Sequence, residues 1–73
     1  MKSSMERALK AMKTRLDSEY DQVSNLKLDE EAFLASLSSD SDKVEETEDL
    51  LQGLEELETL LEAATETLNT LLP

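Results

Sequence analysis

The feature that most limits how this chain can fold is a series of apolar residues between residues 42 and 72. Their spacings alternate between four and three, which is the heptad pattern of one side of an α-helix. The series consists of Leu50, Leu54, Leu57, Leu61, Ala64, Leu68 and Leu71. Leu51, Leu60 and Leu72 widen the apolar arc to nearly half of the circumference. The sequence therefore predicts a long amphipathic helix over about 42–72 whose broad apolar side must be buried against other helices.

The first half of the chain predicts a second long helix over about residues 4–26. Its apolar stripe covers about a third of the circumference and consists of Met5, Leu9, Met12, Leu16, Tyr20 and Val23. A short helix over about 29–38 is predicted next, with Asp29 as its N-cap, either as a separate helix or as a bent extension of the first. The polar residues 38–42 are predicted to form the linker to the last helix.

The composition supports an all-α fold in one small domain, residues 1–73. One glycine and one proline leave almost no tight turns for β-hairpins. With no cysteine, neither a disulfide nor a thiolate metal site can stabilise so short a chain. We therefore predict an antiparallel helical hairpin, two long helices joined by a short helix, that completes a helical bundle by self-association as a homodimer.

Charge is distributed unevenly along the chain, which carries a net charge of −11. Residues 1–16 have five basic residues against Glu6, whereas residues 40–73 have eleven acidic residues against Lys43. An acidic surface repels phosphate, so we expect no direct binding of nucleic acid. The antiparallel hairpin predicts that the basic start of the first helix lies beside the acidic residues of the last, namely Glu58, Glu62 and Glu66.

The residue types argue against enzymatic chemistry and bound cofactors. The chain has no histidine to activate a serine or threonine nucleophile. Asp40 and Asp42 begin like a calcium-binding EF-hand loop, but Glu45 replaces its glycine and Leu51 its final glutamate. No apolar run is long enough to span a membrane, and no signal-peptide core is present. We expect a cytoplasmic protein that is not an enzyme, holds no metal or cofactor, and does not bind membranes.

The leading hypothesis for function is a small acidic adaptor or chaperone that binds protein partners by helix–helix packing. The predicted partner is a second copy of the chain, a heterologous helix, or both. The residues predicted to bind it are Leu51, Leu54, Leu60, Leu61, Leu68, Leu71, Leu72, Met5 and Met12. For three residues, Leu54, Leu57 and Leu61, packing inside the hairpin is the favoured interpretation.

The alternative hypothesis is an inhibitor that mimics nucleic acid and occupies the basic surface of a nucleic-acid-binding protein. Its acidic side chains would stand in for phosphates; they are Glu45, Glu48, Asp49, Glu55, Glu56, Glu62 and Glu66. The simpler interpretation of these acids is that they keep a leucine-rich chain soluble. In length, helicity and charge the chain resembles helical-hairpin co-chaperones of type III secretion systems and short acidic phage inhibitors of host defence. No sequence motif carries either resemblance, so no family is recognised.

Overall fold

The computed structural model describes residues 3–72 and contains two α-helices, α1 (Ser3–Ser36) and α2 (Lys43–Leu71). No β-strand occurs in this range. The helices run antiparallel, because Tyr20 contacts Glu62 whereas Lys27, farther along α1, contacts Glu58. This arrangement confirms the predicted all-α helical hairpin.

The short helix predicted over 29–38 is not confirmed as a separate element, because α1 continues without interruption to Ser36. The prediction of a break rested on the loss of the apolar pattern after Leu26. In the structure, the charged residues Lys27 and Glu30 occupy positions that face α2, and both are partly buried. The Lys27 ammonium pairs with Glu58, so a polar contact continues the packing where the sequence suggested a turn.

The two helices meet along a line of residues that we call the hairpin seam. On each helix, successive seam residues are three, four or seven positions apart, as in a coiled coil. All its residues are buried or half-buried: Leu9, Leu16, Tyr20, Val23, Lys27 and Leu34 from α1, and Thr47, Leu51, Leu54, Glu58, Leu61 and Leu68 from α2. The seam thus mixes leucines with polar and charged side chains.

The hydrophobic core of the hairpin is thin. Within residues 3–72, Val23 and Leu68 are the buried apolar residues, at 6% and 8% exposure. The molecule is a rod of 58 × 14 × 12 Å that exposes 5456 Å² of surface. A compact monomer of 8.2 kDa would expose about 4500 Å². The hairpin therefore leaves about 900 Å² more surface exposed than a globular chain of its mass.

Residues 37–42 connect the helices through a short polar segment. The Ser41 backbone N–H donates to the Ser38 carbonyl at 3.0 Å, and the Ser41 hydroxyl oxygen accepts from the Lys43 backbone N–H at 3.1 Å. Asp42 precedes the helix but makes no side-chain capping bond, since its backbone is already helical (φ −61°, ψ −18°) and an N-cap side chain needs an extended backbone. Ser41 therefore supplies the side-chain contact at the start of α2.

Candidate functional site

One long side of the hairpin carries large apolar side chains that no other part of the described chain covers. We call this surface the apolar face. Its members are between 41% and 66% exposed: Met5, Met12, Leu26, Phe33, Leu50, Leu57, Leu60 and Leu71. Soluble monomers rarely expose a contiguous apolar patch of more than a few hundred Å², so this surface is the main candidate for function.

Contacts across the surface show that the two helices contribute to the same face. Leu26 of α1 lines a shallow groove together with Leu50 and Leu57 of α2. Nearer the open end, Met12 lines a groove with Ala64. Met5 and Leu71 lie seven residues beyond these on their helices, and a step of seven returns to the same side of a helix. Phe33 lines a groove with Leu50, and Leu60 lies seven residues from both Gly53 and Thr67, which line the two grooves named first. The face therefore extends along most of the rod.

The apolar arc of α2 is shared between the seam and the apolar face. Leu54, Leu61 and Leu68 point toward α1 and are half-buried or buried. Leu57 was expected inside the hairpin, but it lies on the apolar face and is 41% exposed. The reason is that the seam on α2 follows Leu51 and Glu58 rather than the neighbouring line of Leu50 and Leu57. The broad apolar arc predicted for α2 thus has an uncovered half.

The structure divides the predicted partner-binding residues between these two surfaces. Those that lie in or at the end of the seam are Leu51, Leu54, Leu61, Leu68 and Leu72. Those that are exposed on the apolar face are Met5, Met12, Leu60 and Leu71. Sequence reasoning missed four members of the face, namely Leu26, Phe33, Leu50 and Leu57. Their signal was present, since Met5, Met12, Leu26 and Phe33 all lie at multiples of seven residues from one another.

Two residues interrupt the apolar face. Glu19 occupies the position between Met12 and Leu26 in the series of sevens and is exposed. Gly53 lies in the groove between Leu50 and Leu57, and a Cβ added there would meet no atom within 4 Å. Packing within the hairpin therefore places no demand for a glycine at this position.

The opposite long side of the hairpin is polar and acidic. Asp17 and Asp21 of α1 line a groove there with Glu62 and Glu66 of α2. The acids predicted to mimic phosphates are all exposed: Glu45, Glu48, Asp49, Glu55, Glu56, Glu62 and Glu66. The hairpin therefore has two chemically distinct sides, separated by the seam.

A polar cluster at the middle of the seam fixes the helices to each other. The Glu58 carboxylate accepts hydrogen bonds from the Ser24 hydroxyl at 2.7 Å and the Lys27 ammonium at 3.0 Å. The hydrogen bond from Ser24, together with the bond and charge of Lys27, lowers the pKa of Glu58. The hydrogen bond to Glu58 in turn raises the pKa of Lys27. Both groups are therefore held in their charged forms at neutral pH.

A second polar contact lies about one turn away. The Tyr20 hydroxyl donates to Glu62 at 2.8 Å. This hydrogen bond, with partial desolvation and the nearby charges of Glu62 and Glu58, raises the pKa of Tyr20. Each of these polar groups thus pairs with another across the seam, and together they join α1 to α2.

The basic start of α1 is not placed as predicted. Glu58 and Glu62 lie opposite residues 20–27 of α1, beyond the basic residues. Glu66 lines a groove with Asp17 and not with a basic residue. In the first four turns of α1, the ion pair seen is Lys10 with Glu6 of the same helix, at 3.1 Å. The basic residues at this end thus make no ion pair with α2 within residues 3–72.

The described residues also bear on metals and membranes. No group of three or more acidic side chains in residues 3–72 is arranged to hold a metal ion. Neither helix, as far as the structure describes it, is long and apolar enough to cross a bilayer. No protein-family model matches this chain, and neither curated proteins nor solved structures show a significant similarity to it.

Proposed function

We propose that this protein is a non-enzymatic protein–protein interaction module, of the adaptor or chaperone type, that acts by packing helices against its apolar face. The observation that carries the proposal is the uncovered row of eight large apolar side chains along both helices. Helix-in-groove recognition uses this kind of surface, with anchors one or two turns apart along a helix. Met5 and Met12 add flexible side chains that adapt to different partners.

The amount of exposed surface supports self-association in particular. The hairpin exposes about 900 Å² more than a compact chain of its mass, and a standard interface buries about 800 Å² on each partner. Two hairpins that pack face to face would form a four-helix bundle and cover the apolar residues of both chains. We therefore propose a homodimer as the resting state, which a heterologous helix of similar character can replace.

The test is a measurement of mass in solution by light scattering behind a sizing column, at tens of micromolar and physiological salt. We expect about 16 kDa, twice the chain mass of 8.2 kDa. The variant Leu60→Glu places a charge on the apolar face and is expected to yield monomer. The matched control is Leu28→Glu, because Leu28 is 62% exposed, close to the 66% of Leu60, and lies on the acidic side. It should remain dimeric.

Two results would count against the proposal. A wild-type chain that stays at 8 kDa over the whole concentration range and captures no helical partner would show that the apolar face is not a binding surface. Equal effects of Leu60→Glu and Leu28→Glu would show that added charge, and not the face that receives it, controls association.

A second candidate function, the nucleic-acid mimic, is favoured by the exposure of all the predicted acids, of which Glu62 and Glu66 line the groove on the side opposite the apolar face. Such a mimic would bind a basic protein surface rapidly and lose affinity steeply with salt. Competition with DNA for a basic partner, measured across a salt series, tests this candidate. Binding that salt leaves unchanged would remove it.

A further inference from the structure

We infer that the occupant of the apolar face is a second copy of this chain in an antiparallel arrangement, with a two-fold axis perpendicular to the rod at the level of Glu19. In this dimer the loop end of each hairpin lies against the open end of the other. The inference rests on the self-association proposed above and adds its geometry. It follows from the charges beside the face and from the position of the face along the rod.

The two ends of the hairpin differ strongly in charge. The loop end, residues 29–49, has nine acidic residues against Lys43. Three of those acids line grooves at the apolar face itself, Glu30, Glu46 and Asp49. The open end is formed by residues 3–16 and 67–72, and it has four basic residues against Glu6. The direction of the two-fold axis therefore determines whether the acidic loop end of one chain lies against the loop end or against the basic open end of the other.

Two hairpins can cover each other's apolar faces about two kinds of two-fold axis. An axis along the rod would place loop end on loop end and would bring the acids beside the face on α1 of one chain close to those on α2 of the other. Packed helices are about 8–10 Å apart, within a Debye length of about 10 Å at 0.1 M salt, so this repulsion would be poorly screened. An axis perpendicular to the rod brings each acidic end to the basic end of the other chain, which electrostatic complementarity favours.

The position of the apolar face along the rod allows two faces related by the perpendicular axis to cover each other completely. On α1 it extends from Met5 to Phe33, and the midpoint is Glu19. On α2 it extends from Leu50 to Leu71, and the midpoint is next to Leu60. The Tyr20–Glu62 hydrogen bond shows that these midpoints lie at nearly the same level of the rod. A perpendicular axis at this level places the whole face of one chain over the whole face of the other.

The chain has no cysteine, which allows a direct test with single-cysteine variants under mild oxidation. The two arrangements predict different disulfide links. A disulfide requires Cα atoms within about 7 Å of each other, whereas Met5 and Phe33, at the two ends of the face on α1, are about 42 Å apart. In the antiparallel dimer, Glu19→Cys links to itself, and a mixture of Met5→Cys with Phe33→Cys, refolded together, gives the mixed dimer. Mass spectrometry separates the mixed dimer from the two self-linked forms. The variant Leu28→Cys, on the acidic side, is the matched control for random collision.

We expect Glu19→Cys to link about a hundredfold faster than Leu28→Cys, because dimerisation raises the effective thiol concentration to the millimolar range. An axis along the rod would place α1 of one chain over α2 of the other, with Phe33 of one chain opposite Leu50 of the other because these residues lie at the same level of the hairpin. A mixed dimer of Phe33→Cys with Leu50→Cys, formed in place of the mixed dimer of Met5→Cys with Phe33→Cys, would overturn the antiparallel arrangement and leave the dimer intact. Equal rates for Glu19→Cys and Leu28→Cys in a chain that elutes as a dimer would overturn the assignment of the face. A chain that stays monomeric in the sizing experiment would overturn the proposed self-association, and this inference with it. Circular dichroism of each variant confirms that the helices are retained.

Discussion

The division of leucines between seam and apolar face can be tested by shortening one leucine on each surface. Leu68 is 8% exposed and packs in the seam, whereas Leu60 is 66% exposed on the apolar face. Both lie on α2, so Leu68→Ala and Leu60→Ala make the same chemical change in the same helix. The experiment is urea unfolding followed by far-ultraviolet circular dichroism, first in dilute solution where the hairpin is monomeric and then at high concentration.

The expected magnitudes follow from burial. A leucine-to-alanine change in a core costs about 2–5 kcal/mol, and the thin seam allows neighbours to relax, so we expect about 2–3 kcal/mol for Leu68→Ala. Leu60 gains only about a third of the ~1.5–3 kcal/mol of full leucine burial. Alanine's better helix propensity offsets part of that. We expect less than about 0.7 kcal/mol for Leu60→Ala in dilute solution.

The expected cost of Leu68→Ala is large, and that of Leu60→Ala small, compared with the total stability of the hairpin. A chain of 73 residues would have about 4–11 kcal/mol, and the scarcity of buried side chains places this one near the lower end. Leu68→Ala should therefore remove half or more of the stability at every concentration. Leu60→Ala should become costly only at concentrations at which the face is covered. Equal costs of the two changes in dilute solution would refute the division between seam and face.

Two further predictions concern the seam and the glycine. Glu58→Gln should lower the free energy of unfolding at about pH 7, and its difference from wild type should shrink below about pH 4.5, the ordinary pKa of the group. The sign follows because the folded pKa is lowered, so the stabilisation is present above the unfolded pKa and is lost as the pH falls through the folded one. Urea unfolding of both proteins across this range gives the test, and a difference that does not change with pH would contradict it. Gly53→Ala should raise the free energy of unfolding of the dilute hairpin by about 1 kcal/mol, because the added Cβ meets nothing. A loss of stability in the same unfolding assay would show that Gly53 is needed inside the hairpin.

The sequence was sufficient to predict α2 and the hairpin. The heptad series from Leu50 to Leu71 continues over about six turns, and the polar segment around Ser41 is the clearest interruption between two helical patterns. The continuity of α1 was not predicted, since Lys27 and Glu30 fall at positions where an apolar pattern would require apolar residues. The partial burial of Lys27 depends on Glu58 of the other helix, and a pairing between distant residues cannot be recognised from local sequence periodicity.

The choice of which leucines face inward also could not be made from periodicity. On α2, the lines through Leu50 and Leu51 are both apolar and differ by one residue, so a small rotation exchanges them. The structure adopts the line that includes Glu58, where the carboxylate reaches Ser24 and Lys27. Rotation toward Leu57 would remove Glu58 from both partners. The contacts of Glu58 with Ser24 and Lys27 therefore determine which apolar residues of α2 face α1 and which remain exposed on the apolar face.

The polar cluster around Glu58 also determines the register of the hairpin. Heptad repeats resemble one another, so two helices can slide by seven residues and keep apolar side chains in contact. A slip in one direction would move Glu58 from Ser24 to Asp17, and a slip in the other would move it to Glu31. Both alternatives replace a hydrogen-bond donor with a carboxylate and leave Lys27 without its partner. A single charged pair in the seam thus excludes both neighbouring registers, and it holds the apolar lines of the two helices level with each other.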